Sequence, residues 1–184
     1  RWAFVPTAVI PNLWRLADKN YATMHTNYVN GAPEAFDVCV SSCGSGSATW
    51  KKIVVGGLNG GGRGYYALDI TDPTAPSLLW EYRDSNDADL GYTFGNPIVT
   101  KKADGTWVVL FTSGYDNGTT SGDGSTANAI AGDGKGYLYV LNAATGALIS
   151  KIGTGVGAAA DPSGLSKIAA WADNSMTDNT ALYV

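Results

Sequence analysis

The feature that most constrains the fold of this chain is an internal repeat whose two copies differ in the length of one connection. Residues 50–57 resemble residues 107–114 at an offset of 57 positions, and residues 66–69 match residues 139–142 at an offset of 73. The second copy therefore carries 16 additional residues, which fall in the Gly-, Asp-, Ser-, Thr- and Asn-rich stretch 116–136, predicted to be a solvated loop. Self-similarity of this kind indicates one supersecondary unit used more than once.

Each copy of the repeat is predicted to hold four strands. In the second copy the predicted strands are 96–101, 106–113, 137–142 and 147–153. Two of the turns between them end in Gly105 and Gly146, and glycine supplies the positive φ that tight hairpins need. Consecutive four-stranded antiparallel sheets are the unit of a β-propeller. The sequence therefore predicts an all-β fold, a β-propeller segment of four-stranded antiparallel blades that forms an incomplete ring.

The blade pattern divides the whole chain into five segments. These are 1–33, the tail of a preceding blade plus a short helix; 34–83, a blade; 84–94, a connecting loop; 95–153, a blade with the long insert 116–136; and 154–184, the truncated start of the next blade. The predicted helix, 11–18, places Leu13, Trp14 and Leu16 on one side, and the last segment is predicted to begin with a strand at 167–170. Propellers close with 4–8 blades, so two complete blades do not close a ring.

Composition agrees with short strands and many turns. The chain has 24 Gly, 7 Pro, 10 Tyr and 6 Trp, and only 15% of its residues are charged. The aromatic residues on the predicted strands are expected to form the core. A net charge of −4 without a basic run argues against nucleic acid as a partner. The absence of a long apolar run argues against a transmembrane segment.

The residues do not assemble a catalytic set, and we expect no enzyme. His25 is the sole histidine, and no Ser-His-Asp arrangement or G-x-S-x-G elbow supports nucleophilic catalysis. The Gly-rich run 59–64 lacks the Lys-Ser/Thr pair of a phosphate-binding loop and is interpreted as a flexible hairpin loop. Asp69 and Asn142 stand at equivalent strand ends, where they can accept turn N–H groups.

Two further groups of residues could carry a bond or a metal ion. Cys39 and Cys43 have three residues between them and no second ligand pair for zinc, so we expect a short-loop disulfide, with two free thiols as the alternative. Calcium is the one cofactor worth weighing, because oxygen ligands cluster in three loops. The clusters are 84–89, which lacks the pattern of an EF-hand loop; Asp116, Asp123 and Asp133 in the insert; and Asp173, Asn174 and Asp178 in the last segment.

Several motifs, in the order in which they occur, resemble the PilY/PilC type IV pilus tip adhesins. The matching segments are 58–73, 79–82, 89–97, 105–116 and 136–146, and the N-terminal stretches 3–6 and 24–31 also fit. The resemblance thus spans nearly the whole chain. It implies a segment of the C-terminal propeller of a large non-enzymatic protein, exported through the periplasm to the pilus tip or outer-membrane surface of Gram-negative bacteria.

The resemblance also implies roles and partners. Such a protein acts in pilus assembly, adhesion, surface attachment and twitching motility, with minor pilins of the pilus tip complex and a host or abiotic surface as its partners. The calcium loop of the family, of the D-x-D/N-x-D type, would use Asn174, Met176 and Asp178 here. Leu182 stands where a ligand carboxylate is expected, so this sequence departs from the family pattern at that point. Asp173, Asn174 and Asp178 are the calcium candidates.

Two alternative functions are compatible with the same fold. Residues 137–152 also look like the Ala-x-x-Thr-Gly-x-x-x repeat of pyrroloquinoline-quinone dehydrogenase propellers. That enzyme class is expected to bring a vicinal cysteine pair and an ordered set of cofactor ligands, whereas Cys39 and Cys43 have three residues between them. The other alternative is a carbohydrate- or protein-binding propeller without a connection to pili.

Overall fold

A computed structural model describes residues 1–118 and 130–171 of the chain as two antiparallel sheets of four strands each. The strands are β1 Glu34–Ser41, β2 Thr49–Gly57, β3 Gly64–Asp69, β4 Ser77–Arg83, β5 Ile98–Lys101, β6 Trp107–Thr112, β7 Tyr137–Asn142 and β8 Leu148–Gly153. The first sheet has the order β1-β2-β3-β4 and the second the order β5-β6-β7-β8. The predicted four-stranded blades are confirmed.

The two sheets share a local irregularity as well as their strand order. The pairing of the third and fourth strands shifts register between Ala67 and Leu68 in the first sheet, and between Val140 and Leu141 in the second. These positions are 73 residues apart, which is the offset of the sequence repeat. The two copies are therefore the same unit in structure as well as in sequence.

The main core lies between the sheets and is rich in aromatic residues. The ring of Phe111 on β6 stacks on Tyr65 of β3 at 4.1 Å and on Tyr139 of β7 at 5.4 Å between centroids. Trp80 and Tyr82 of β4 are buried in the same cluster. Since each of these rings removes a large apolar area from water, this interface is the main source of stabilisation between the sheets.

The sheets are related as successive blades of a propeller. Val55 on β2 faces the second sheet. Its equivalent on β6 is Thr112, which alternates with Phe111. Because Phe111 faces the first sheet, Thr112 lies on the side of the second sheet that points away from the first. Tyr65 and its equivalent Leu138 follow the same rule. Equivalent residues thus point in the same direction around a ring instead of meeting at one interface, as they would in a sandwich with two-fold symmetry.

The N-terminal segment covers the outer face of the first sheet. A 3₁₀ helix, Thr7–Ala17, buries Val9 against Leu58, Tyr66 and Leu68. The predicted helix at 11–18 starts four residues too late, and Trp14 and Leu16, on its apolar side, are 63% and 55% exposed. The two buried residues of the helix, Val9 and Asn12, are three positions apart, and Val9 lies before the predicted start of the helix.

The last described segment contains no regular strand. The sequence predicts a strand at 167–170, but residues 154–171 form only isolated bridges, one of which joins Leu165 to Gly114. The rest of the predicted third blade, 172–184, lies outside the described residues. Among the helices of the described part, none combines the length and apolar character needed to cross a membrane.

Candidate binding surface on the loop face

Antiparallel pairing sends alternate connections to opposite ends of the two sheets. The loop face is formed by the connections at one end of the strands, residues 58–63, 84–97, 113–118 and 130–136. The turn face is formed by the hairpins at 42–48, 70–76, 102–106 and 143–147. Because strand residues are taken up by packing, contacts with other molecules fall on these connections.

On the loop face, two connections that are distant in sequence pair through their backbones. The N–H of Tyr92 donates to the carbonyl of Tyr115 at 2.7 Å, and the N–H of Tyr115 donates to the carbonyl of Tyr92 at 3.0 Å. The N–H of Gly91 donates to the carbonyl of Ser113 at 2.7 Å. The connection between the sheets is therefore joined to the beginning of the insert as a short two-stranded bridge.

The ends of the insert are packed, whereas the sequence suggests a solvated loop throughout. Asn117 is 1% exposed, and its Nδ2 donates to the carbonyls of Asp89 and Lys135, each at 2.8 Å. The N–H of Asp133 donates to Oδ1 of Asp89 at 2.7 Å. These bonds satisfy backbone groups that burial would otherwise leave unpaired. The insert thus enters and leaves the loop face through a fixed polar cluster.

Arg63 is the centre of the loop face. Its side chain is buried, with the residue only 3% exposed, and its Nη1 and Nη2 donate to the carbonyls of Ile130 and Asp116 at 3.0 and 2.5 Å. The guanidinium also lies 5.6 Å from the ring centroid of Tyr92. The run 59–64 belongs to the predicted hairpin connection between β2 and β3, but residues 61–64 are buried, so the connection is packed against its surroundings. The planar fork of Arg joins both ends of the insert to the first sheet.

An ion-pair cluster ties the outer strand of the second sheet to the connection that precedes it. Nζ of Lys151 lies 2.8 Å from Oδ1 of Asp87 and 2.6 Å from Oδ2 of Asp89, and 4.2 Å from the ring centroid of Tyr137. Burial alone would lower the pKa of Lys151, but the hydrogen bonds to Asp87 and Asp89 raise it. Lys151 therefore keeps its charge across the physiological range, and its role is structural.

The carboxylate of Asp133, beside this cluster, is also held by local hydrogen bonds. The hydroxyl of Tyr137 donates to Oδ2 of Asp133 at 2.7 Å, and this bond is the main reason that the pKa of Tyr137 rises to about 12. Burial would raise the pKa of Asp133, but hydrogen bonds from Lys135 and Tyr137 lower it to about 2. Neither group is poised to exchange a proton near neutral pH.

The calcium prediction concerns other residues. Asp173, Asn174 and Asp178, and also Asp123 of the insert, lie outside the described residues, so binding of calcium by them stays a prediction. In the described ranges, 1–118 and 130–171, no group of three or more His, Cys, Asp or Glu side chains is placed to hold a metal ion. Within the acidic stretch 84–89, the carboxylates of Asp87 and Asp89 are instead paired with Lys151.

An exposed aromatic pair lies on the loop face. Phe94 and Tyr115 are 37% and 47% exposed, and their rings meet edge to face at 5.7 Å. Ser166 Oγ donates to the carbonyl of Phe94 at 2.5 Å. Ile130, beside the Arg63 bond, is 45% exposed. Exposed aromatic side chains on a fixed backbone are typical of protein interfaces. The sequence pattern does not single out this pair, although Phe94 precedes Gly95 and Tyr115 follows Gly114 in loops.

The remaining predicted residues lie elsewhere. His25 is in the N-terminal segment, with its ring 5.5 Å from that of Tyr21. Cys39 and Cys43 are on the turn face at the end of β1, where the structure joins them by a disulfide. Asp69 accepts the N–H of Thr71, and Asn142 accepts those of Ala144 and Thr145, as the repeated turn positions predict.

Comparison with known proteins agrees with this geometry. Residues 4–183 match the family model described as the PilY1 beta-propeller domain. A type IV pilus biogenesis factor PilY1 homolog of Xylella fastidiosa (strain Temecula1) is 35% identical over 155 residues, covering 83% of this chain and 9% of the relative. The type IV pilus biogenesis factor PilY1 of Pseudomonas aeruginosa (strain PAO1) is 33% identical over 166 residues, covering 90% of this chain and 12% of the relative.

The chain thus spans about a tenth of the length of these curated relatives. The crystal structure of the Pseudomonas aeruginosa PilY1 C-terminal domain superposes with a TM-score of 0.67 at 30% identity, covering 98% of this chain and 31% of that one. These similarities favour the pilus-associated interpretation over a quinoprotein. The two sheets are a part of a propeller, and the chain belongs to the PilY1 β-propeller domain family.

Proposed function

We propose that this chain is a non-enzymatic part of a type IV pilus biogenesis protein at the pilus tip or outer-membrane surface. In this proposal its loop face binds a protein component of the pilus tip complex, such as a minor pilin, and so contributes to pilus assembly and to adhesion. The observation that carries the proposal is the exposed pair of Phe94 and Tyr115, held on a backbone that is paired across two loops.

Rigidity of the loop face supports this role. A binding surface that is already ordered loses less conformational entropy on association than a flexible loop does. Arg63 and Asn117 order this surface from inside, since both are nearly fully buried and both bond to backbone carbonyls of the insert or its neighbours. The aromatic anchors therefore approach a partner in a fixed arrangement, which is the property that interface hot spots share.

The carboxylates and aromatic rings that the structure describes on the loop face fit binding better than catalysis. Its described carboxylates at 87, 89 and 133 are hydrogen-bonded to Lys151, Lys135 or Tyr137. Groups held in such pairs stabilise the surface but are poor general acids or bases near neutral pH. A partner would meet aromatic rings surrounded by polar groups, the usual composition of a protein interface.

The proposal is tested by removing the aromatic pair in cells. The double variant Phe94→Ala/Tyr115→Ala, in the full-length protein that carries this chain, is expected to lower the number of surface pili and the co-purification of minor pilins. Loss of a hot spot costs about 2 kcal/mol or more, which corresponds to roughly thirtyfold in affinity. The matched control is Trp50→Ala, which removes an aromatic side chain 53% exposed on the turn face.

The control variant is expected to keep the parental number of pili. Thermal unfolding of each purified variant checks that the fold is retained. Normal piliation and normal co-purification in a folded double variant would contradict the proposal, as would an equal loss in the control.

A further inference from the structure

The turn face, on the opposite side of the sheets, contains a cleft that the proposed function does not use. The cleft has a volume of about 350 Å³ and lies between the two sheets. It is lined by the end of β1, by the hairpin that joins β5 to β6, and by the hairpin that joins β7 to β8. Small-molecule sites are concave and begin at about 300 Å³, so the cleft is large enough for a small ligand.

The walls of the cleft are fixed. One wall contains the disulfide between Cys39 and Cys43, and another contains the ring of Trp107, which meets Trp50 edge to face at 5.9 Å. The hairpin after β7 is held by Trp80 of the first sheet, whose Nε1 donates to the carbonyl of Ala143 at 2.9 Å. A ligand would therefore enter a preformed site and would not have to order it.

Asn142 supplies hydrogen-bond donors at the cleft. Its Oδ1 accepts the N–H groups of Ala144 and Thr145 at 2.9 and 3.1 Å, which fixes the orientation of the amide. The amide nitrogen of this lining residue has two further donors, and it has no partner among the described residues. A structural role in the turn uses only the oxygen of Asn142.

Acceptors stand on the facing hairpin. Oδ1 of Asp104 accepts the N–H of Thr106 at 2.9 Å, and Oδ2 lies 2.8 Å from Nζ of Lys102. Each carboxylate oxygen has more than one acceptor site, so capacity for a ligand remains. These bonds hold the pKa of Asp104 near 2, and the group is ionised at any physiological pH. Thr145 adds a hydroxyl that both donates and accepts.

The combination selects a class of ligand. An indole ring offers an apolar face to C–H groups, while a carboxylate and an amide placed nearby pair with adjacent hydroxyls as acceptor and donor. No Lys, Arg or His lines the cleft, which disfavours phosphate and other anions, and the polar groups disfavour a lipid chain. We propose that this cleft binds a saccharide through Trp107, Asp104 and Asn142.

The test uses saturation-transfer NMR on the full chain, with the methyl glycosides of glucose, galactose, mannose and N-acetylglucosamine as probes. We expect saturation transfer to at least one glycoside. Asn142→Asp keeps the oxygen that accepts the turn N–H groups and removes the amide donors, and it is expected to weaken binding about tenfold. Asp104→Asn likewise keeps an acceptor for Thr106 while removing the charge, and it should also weaken binding.

The matched control is Asp72→Asn, in the hairpin between β3 and β4. Oδ1 of Asp72 accepts the N–H of Thr74 at 2.9 Å, as Asp104 accepts that of Thr106, but Asp72 does not line the cleft. The control is expected to bind as the parent chain does. The proposal is overturned if no probe receives saturation transfer, or if Asn142→Asp binds a probe as well as the control does. Because Phe94 and Tyr115 lie on the loop face, failure here leaves the proposed function standing, and the reverse holds as well.

Discussion

The first and second sheets are the same frame with different connections. Their strands share order, register irregularity and the direction of equivalent side chains, yet β2 and β3 are joined by residues 58–63 and β6 and β7 by residues 113–136. The strand residues that face the neighbouring sheet are buried, so packing constrains them. A connection has only to return the chain to the next strand, and its length is free to change.

Equivalent positions perform the same task even where the residue type differs. Glu81 on β4 and Lys151 on β8 stand 70 positions apart, within the matched segments of the two outer strands. Oε1 of Glu81 accepts the N–H of Thr7, and Lys151 pairs with Asp87 and Asp89. Each side chain ties its outer strand to the segment that precedes its sheet. Opposite charges serve because each of these segments offers a different partner.

The largest expected loss of stability follows from replacing Arg63, which joins the short connection of the first sheet to the insert of the second. Arg63→Ala leaves the carbonyls of Asp116 and Ile130 without a donor, and we expect it to lower the free energy of unfolding by about 3 kcal/mol. Arg63→Lys keeps the charge but loses the planar fork of donors, and its free energy of unfolding should lie between those of Arg63→Ala and the parent. Urea unfolding measures both, with Arg15→Ala as the control. A change no larger than that of Arg15→Ala would mean that the insert is not held by Arg63.

The next largest loss of stability is expected from removing the disulfide, which distinguishes the hairpin after β1 from the equivalent hairpin after β5. The structure places a disulfide between Cys39 and Cys43, whereas the hairpin at 102–106 has no cysteine. Replacing both cysteines by serine should cost about 2 kcal/mol, since the crosslink restricts the unfolded chain. Thiol labelling of the native protein should detect both cysteines only after a reductant is added. Labelling without a reductant would show that the two residues are free thiols.

Two glycines with positive φ sharpen the same comparison. Gly105 and Gly146 have φ of 86° and 69°, but an added Cβ meets no atom within 4 Å at Gly105, whereas at Gly146 it meets the ring of Trp80. Gly105→Ala should therefore lower the free energy of unfolding by about 1 kcal/mol, because the only penalty is the positive φ of the backbone. Gly146→Ala should cost about 1 kcal/mol more, because the ring must move. Equal losses in thermal unfolding would argue that the second hairpin does not pack on the first sheet.

The sequence predicted the hairpin positions and missed the Arg63 contact for a physical reason. Turn glycines and the acceptors Asp69 and Asn142 act within a few residues, so their roles are written in local sequence. The partners of Arg63 are 53 and 67 positions away, and the length of the insert conceals them. The buried side of the N-terminal helix was missed because the predicted helix began at residue 11 and so left out Val9, whose partners Leu58, Tyr66 and Leu68 are distant in sequence.

The aromatic pair on the loop face shows the same limit. Phe94 and Tyr115 occur in loops, where an apolar side chain carries no periodic signal. Only the backbone pairing of Tyr92 with Tyr115 brings the two rings together. The repeat therefore predicts the frame of the fold, while the candidate surface depends on contacts between connections.

The smallest expected losses of stability come from removing the ion pairs of Lys151 and Lys102. Lys151 and its partners Asp87 and Asp89 have side chains 23%, 15% and 18% exposed, and Lys151→Met should cost about 1 kcal/mol. The pair of Lys102 and Asp104 is more exposed, and Lys102→Met should have a smaller effect that salt removes. Denaturant unfolding at low and high salt measures both. A larger loss for Lys102→Met would reverse the predicted order.

The pH dependence of the Lys151 effect has a defined sign. Because the folded-state pKa of Lys151 is raised above 10.5, the ion pair contributes fully below that pH, and its contribution is lost as the pH rises through the folded-state pKa. The difference between the parent and Lys151→Met should therefore be constant around pH 8 and should shrink in alkali.

The central claim is that the two sheets pack side by side as neighbouring blades, through the face that carries Phe111. Nuclear Overhauser effects between aromatic protons measure this directly. The account predicts strong effects between the rings of Tyr65 and Phe111, whose centroids are 4.1 Å apart, and between the indole N–H of Trp80 and protons of residues 143–146. Effects within each sheet without any between these residues would contradict it.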